Sequence, residues 1–194
     1  MDLRLYDSYA ALAAQGRRKE AGAALRAFVV SVTTLADKRR FTQTLLATHA
    51  FGRGFRSELL HGVVLPALLE GYQRRDPWSL YWLAGVGVDP ARVEGKGPIA
   101  LLKDCLALDW EPERVRDTLL RELLAAFAYA AHEWPAGILS GADGATLAQC
   151  AQLMEDVRLA RTLDRDGRHA AQLNEFEGKL DAYHRRLEAR APTG

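Results

Sequence analysis

Cysteine is scarce in this chain. Cys105 and Cys150 are the two it carries in 194 residues, and they form no C-x-x-C pair. This speaks against a disulfide framework and fits a reducing, cytoplasmic compartment. Alternating runs of Val, Ile and Thr bounded by hairpin turns are also missing, which argues against a sheet-built domain. Long apolar runs are absent. The longest, Leu123 to Ala131, falls well short of the ~18 residues of a membrane span. Met1 to Asp7 lacks the apolar stretch of a signal peptide. No charge of one sign dominates: the formal net charge is +1, a poor basis for neutralising nucleic-acid phosphates.

What is present is helical. Ala, Leu, Arg and Glu dominate, and all four favour helix. With 48% hydrophobic and 26% charged residues, the composition is globular, and 194 residues suffice for one domain with a sizeable core. Apolar spacing predicts helices over 2–14, 18–32 and 35–50. The third is expected to turn Phe41, Leu45 and Thr48 inward. Another covers 57–74, where Pro66 predicts a kink or break near Gly62. Asp76-Pro77 restarts a helix, with Asp accepting from free N–H groups and Pro at the first helical position. The Gly- and Pro-containing stretch 86–97 is the longest connection and a candidate subdomain boundary. Helices follow at 98–108, with Ile99, Leu102 and Leu106 inward, and at 112–132. Thr146 to Gln149 has capping-box form and opens the next helix, before the Asp166-Gly167 turn. The last helix buries Leu173, Phe176, Leu180, Tyr183 and Leu187, and Ala191 to Gly194 is expected to fray. The fold class is therefore all-α, with about eight helices in one domain, 1–194. The helices form either an irregular α-α hairpin array of tetratricopeptide or HEAT type, or a compact bundle.

Motifs with chemistry are incomplete. His132-Glu133 begins H-E-x-x-H, in which two histidines four apart on one helix face grip a zinc ion. Here Ala136 holds the second position and Pro135 interrupts the helix, so His132 reads as a helix-end residue facing the last carbonyls. Glu58-Leu-Leu-His61 and Asp181-Ala-Tyr-His184, with Glu20 and Glu122, mimic the order of carboxylate-bridged di-iron bundles. That motif requires every ligand to point inward, and Asp181 and His184 flank the buried stripe. Gly95-Lys96-Gly97 lacks the Ser or Thr of a phosphate loop, and Gly137 to Gly141 lacks the strand of a nucleophile elbow; both read as turns. Lys38-Arg39-Arg40 is a local basic cluster, set against the near-neutral charge of the whole. Arg158, Arg161 and Arg165 can line one helix face, with Arg168 beyond them. Interspersed Glu155, Asp156, Asp164 and Asp166 make a self-paired face the simpler reading. Tyr72, Trp78 and Trp82 are core candidates that could also line a groove.

Two segments carry a resemblance. Leu60 to Leu83 contains Val64-Leu-Pro-Ala-Leu-Leu-Glu-Gly-Tyr and then Asp76-Pro-Trp-Ser-Leu-Tyr-Trp-Leu; the other segment is Tyr129 to Leu139 with the hairpin after it. Together they resemble a family of uncharacterised all-helical bacterial proteins, over about the last two-thirds of the chain. The resemblance implies the fold and transfers no activity and no functional residue.

The expectation is a non-enzymatic protein-binding module: a cytoplasmic bacterial adaptor, regulator or immunity-type protein presenting a helical groove or face. Tyr72, Trp78, Trp82, Arg158, Arg161 and Arg165 are its candidate contacts. The alternative is a helical enzyme, dependent on a metal or small ligand, with a pocket near Glu58, His61, His132 and Glu133. No cofactor and no metal site is assigned. The partner is expected to be another protein rather than a membrane or nucleic acid, and the oligomeric state is left open.

Overall fold

The computed structural model describes residues 1–190, so the expected fraying of Ala191 to Gly194 lies outside the described residues. The chain is all-α apart from one short hairpin. It divides into two compact units, Met1–Trp110 and a second from Glu111 onward. The 86–97 connection lies inside the first unit.

The first unit contains α1 (Leu3–Ala14), α2 (Arg18–Ser31) and α3 (Leu35–Leu46), and then a continuous helical run over 57–73. Side chains fix two of the starts: Arg4 N–H donates to Asp2 at 3.1 Å, and Asp37 N–H donates to Thr34 at 3.1 Å. The 57–73 run is α4 (Ser57–Leu59), a π turn (Leu60–Val64) and α5 (Leu65–Gln73). Its irregularity falls where Pro66 and Gly62 predict it. Pro66 has no N–H for the carbonyl of Gly62, and its ring crowds that carbonyl. The helix widens for one turn instead, and Leu65 N–H donates to Leu60 O. Gly62 also lets α2 come close, because a β-carbon there would overlap Val29. Next come α6 (Pro77–Val86), a 3-10 turn (Pro90–Arg92) and α7 (Pro98–Ala107).

Packing corrects several expected faces. In α3 the buried residues are Phe41, Thr42 and Leu46; Leu45 is half-buried and Thr48 is exposed. The helix stops at Leu46 rather than near Ala50. His49 folds back to Arg53 O at 2.7 Å and stacks on Phe55, which draws 47–55 into a loop. In α7 the buried set is Leu101, Leu102 and Cys105, and Ile99 and Leu106 sit at its margins. Asp76 precedes α6 as expected, but its side chain does not cap that helix. It accepts instead from Ser79 Oγ at 2.6 Å and from Arg39 at 3.4 Å. Arg39 also donates to Glu70 at 3.5 Å, and Glu70 takes Arg74 as well. Ser79 is 1% exposed, so this hydroxyl would be costly to leave unpaired.

The second unit contains α8 (Pro112–Ala130), β1 (Leu139–Ser140) paired antiparallel with β2 (Asp143–Gly144), α9 (Leu147–Leu163) and α10 (Ala170–Arg190). The capping box is present: Gln149 N–H donates to Thr146 Oγ1 at 3.3 Å, and Thr146 N–H donates to Gln149 Oε1 at 2.8 Å. α9 packs on both α8 and α10. Val115, Leu119, Leu123, Phe127, Cys150, Val157, Leu173, Phe176 and Leu180 form the core, and Phe127 and Phe176 stack at 4.6 Å. Tyr183 and Leu187 are half-buried at its edge. The two-residue hairpin escapes the period-2 pattern because it is too short to show one.

Two substitutions test this packing. Thr42 is fully buried and its hydroxyl has no hydrogen-bond partner among the described residues. Thr42→Val should therefore raise the unfolding free energy by about 1 kcal/mol, read by urea denaturation. Gly71→Ala sets two effects against each other. Helix propensity gains up to ~1 kcal/mol, but the new β-carbon would overlap Ser79 Oγ. The overlap should win and lower stability by about 2–4 kcal/mol; a stabilised variant would show that α5 and α6 can move apart freely.

Candidate functional site

His132 and Glu133 follow the end of α8. His132 Nδ1 lies 2.5 Å from Tyr129 O, and Nε2 lies 3.1 Å from a Glu133 carboxylate oxygen. Both side chains are about half exposed, at 47% and 54%. The next residues are held from α10. Arg186 lies over the Trp134 ring at 4.9 Å and the Tyr183 ring at 5.5 Å, and donates to Pro135 O at 2.9 Å. Tyr129 Oη donates to Gly141 O at 3.2 Å, joining α8 to the hairpin turn. The Trp134–Pro135 peptide is cis.

Glu58 and His61 belong to the first unit and His132 and Glu133 to the second. Glu58 pairs with Arg56 at 3.2 Å; its own backbone N–H and Arg56 hold the carboxyl below the usual range. His61 is exposed. Of the di-iron set, Glu20 pairs with Arg17, Glu122 lies 3.6 Å from Arg121, and His184 lies 3.6 Å from Glu188. Among the described residues, no three His, Cys, Asp or Glu side chains converge to hold a metal ion.

The arginines are engaged internally. Arg158 pairs with Glu155, Arg161 with Glu177 and Asn174, and Arg168 with Asp166. Arg165 leaves the stripe to share Glu113 with Arg116. Arg116 reaches both carboxylate oxygens at 2.7 Å, and Arg165 reaches them at 3.0 and 3.3 Å. Hydrogen bonding from Arg116, with Arg165 adding to it, holds the Glu113 carboxyl below the usual range. In the basic cluster, Arg39 is committed to Glu70 and Asp76, and Arg40 lies 3.9 Å from Asp37.

The aromatic candidates separate by burial. Trp82 is 2% exposed and packs on Tyr81 and Phe51, so it offers no surface to a partner. Trp78 is half-buried. Tyr72, also half-buried, lines a polar cavity of about 530 Å³ with Gln73, Arg75, Leu80, Glu94, Lys96 and Asp104. There Lys96 Nζ donates to Asp104 at 2.7 Å, lies 3.8 Å from Glu94, and stands 6.0 Å from the Tyr72 ring centre. Burial, opposed by Lys96, raises the Tyr72 phenol above its ordinary pKa. A second hollow of the first unit, about 430 Å³, opens between α1 and α3. Leu3, Tyr6, Phe41, Thr44, Leu45 and Thr48 line it, with Asp7 and Arg40 beside them. Sequence spacing assigned Leu45 and Thr48 to the core and overlooked both hollows. The available signal was the lysine between Gly95 and Gly97.

No protein-family model matches the chain, and neither a curated protein nor a solved structure matches it.

His132→Ala removes one half-exposed hydrogen bond to the backbone. We expect a loss of about 0.5–1.5 kcal/mol in stability, read as a small fall in melting temperature. An unchanged melting temperature would show that the ring does not hold the helix end.

Proposed function

We propose that this chain is a non-enzymatic protein-binding module, and that the α1–α3 groove of the first unit receives an apolar helical segment of a partner protein. One observation carries the reading: α1 is an apolar helix with no buried residue. In the groove Leu3 is 50% exposed, Tyr6 and Leu45 are half-covered, and the buried Phe41 stands against Tyr6. Burying such surface is favourable by about 25 cal/mol per Å², and an apolar trough with a polar rim suits an amphipathic helix. Asp7 and Arg40 give that rim opposite signs on its two sides. A partner helix would then carry a basic residue toward α1 and an acidic one toward α3.

A cytoplasmic bacterial adaptor, regulator or immunity-type protein suits this reading. Only two cysteines in the sequence, both buried and with no C-x-x-C spacing, support a reducing compartment. No described helix is long and apolar enough to cross a membrane.

A photo-reactive benzophenone side chain placed at Leu45 should cross-link one discrete protein in cells. The same group at Val30, which is 78% exposed on α2, should not. Leu3→Glu should abolish the adduct. An identical pattern from both positions, or no adduct from Leu45, would overturn the proposal.

A further inference from the structure

The polar cavity of the first unit is separate from the groove and poses its own question. Its volume of about 530 Å³ is that of small-molecule sites. The charges on its wall balance: Arg75 and Lys96 against Glu94 and Asp104. Lys96 is committed to Asp104 at 2.7 Å. Arg75 is exposed, and its guanidinium has no carboxylate partner among the described residues. Glu94 lies 3.8 Å from Lys96 and accepts a hydrogen bond from the Tyr72 hydroxyl, and its side chain is 75% exposed. One cation without a carboxylate partner and one largely solvent-exposed anion therefore line the same hollow.

Four described residues other than glycine have a left-handed backbone, and two of them, Arg75 and Glu94, line this cavity. Arg75 and Glu94 both have φ of 55°, in the left-handed region. Such a conformation costs a side-chain-bearing residue roughly 1–2 kcal/mol. Arg75 stands just past α5, where its N–H donates to Tyr72 O and the next N–H, of Asp76, donates to Gly71 O, both at 2.9 Å. Glycine is the ordinary occupant of that slot. Glu94 immediately precedes Gly95, which is itself left-handed at φ 76°. Glycine would relieve the backbone at both positions, yet the chain carries opposite charges there, facing one cavity. A strained backbone that presents solvent-accessible charge of both signs to one hollow points toward ligand binding.

We propose that this cavity binds a small zwitterion of the α-amino-acid class, with its carboxylate on Arg75 and its ammonium on Glu94. The balanced lining selects for a zwitterion. A lone anion meets Glu94 and Asp104, and a lone cation meets Arg75 and Lys96. The Lys96 ammonium, beside two carboxylates and near the Tyr72 ring, already displays how the wall accommodates a primary ammonium.

The test titrates the full chain with the free L-α-amino acids at roughly millimolar concentration, followed by amide chemical shifts and calorimetry. At least one should bind and move the resonances of residues 72–75 and 94–96. The matching amine without a carboxylate, and the matching acid without an ammonium, should each bind at least ~10-fold more weakly. Arg75→Gly and Glu94→Gln should weaken binding by a similar factor. Arg75→Gly should do so with an equal or higher melting temperature, because glycine relieves the left-handed backbone. The proposal fails if no amino acid binds, if either variant binds as tightly as the parent, or if Arg75→Gly lowers the melting temperature. Groove cross-linking at Leu45 is a separate readout, so failure here leaves the protein-binding reading to stand or fall on its own.

Discussion

The Ser79 hydroxyl reaches Asp76 at 2.6 Å only because α5 carries no side chain at Gly71. Much of the first unit is arranged by that contact. It sets α5 and α6 at close spacing and aims the Asp76 carboxylate at Arg39 of α3. Arg39 in turn joins Glu70, so α3 is tied to two helices through one guanidinium. With α3 fixed this way, Thr42 and Leu46 face inward, and Thr44 and Leu45 are left to line the open groove. The same contact fixes the end of α5, from which Tyr72, Gln73 and Arg75 enter the polar cavity. Partly buried hydrogen bonds to charged groups are individually worth about 1.5–3 kcal/mol. Their larger effect here is to choose which side chains remain uncovered.

The second unit solves a different problem with different means. Its long α8 ends in a segment that forms two short strands and would otherwise have little to hold it. Arg186 supplies the hold by lying over two aromatic faces while donating to a backbone carbonyl. Guanidinium groups suit this because they are planar and weakly hydrated. Even so, Arg186 Nη2 is buried with no hydrogen-bond partner among the described residues. Tyr129 and His132 fasten the same segment from the α8 side.

Local rules were easy to read in the sequence. The capping box at Thr146, the proline starts at Pro77 and Pro112, and the disturbance caused by Pro66 each depend on a few neighbouring residues. The reading of His132 as a helix-end residue belongs to the same class, since three residues decide it. Faces were harder. Thr42 looks like a surface residue, and only the close approach of α3 to α5 and the π turn buries it. The cavities were beyond periodicity altogether. Tyr72 and Asp104 are far apart in sequence, and their convergence is decided by how three helices pack. Lys96 was visible as a lysine between glycines, and its cavity is formed by residues that no local motif includes.

A π turn is an α-helix with one extra residue in it. The segment Leu60–Val64 therefore acts as an inserted letter whose reading frame is carried by everything after it. Straightening the helix by dropping one residue there would turn α5 by about 100° about its axis. Gly71 would swing away from Ser79, and Arg75 would leave the cavity wall. The length between Ser57 and Pro66 decides that Leu65, Ala67, Leu68 and Gly71 are the residues α5 buries. The irregularity is thus a phase setting, and the faces of the first unit are defined relative to it.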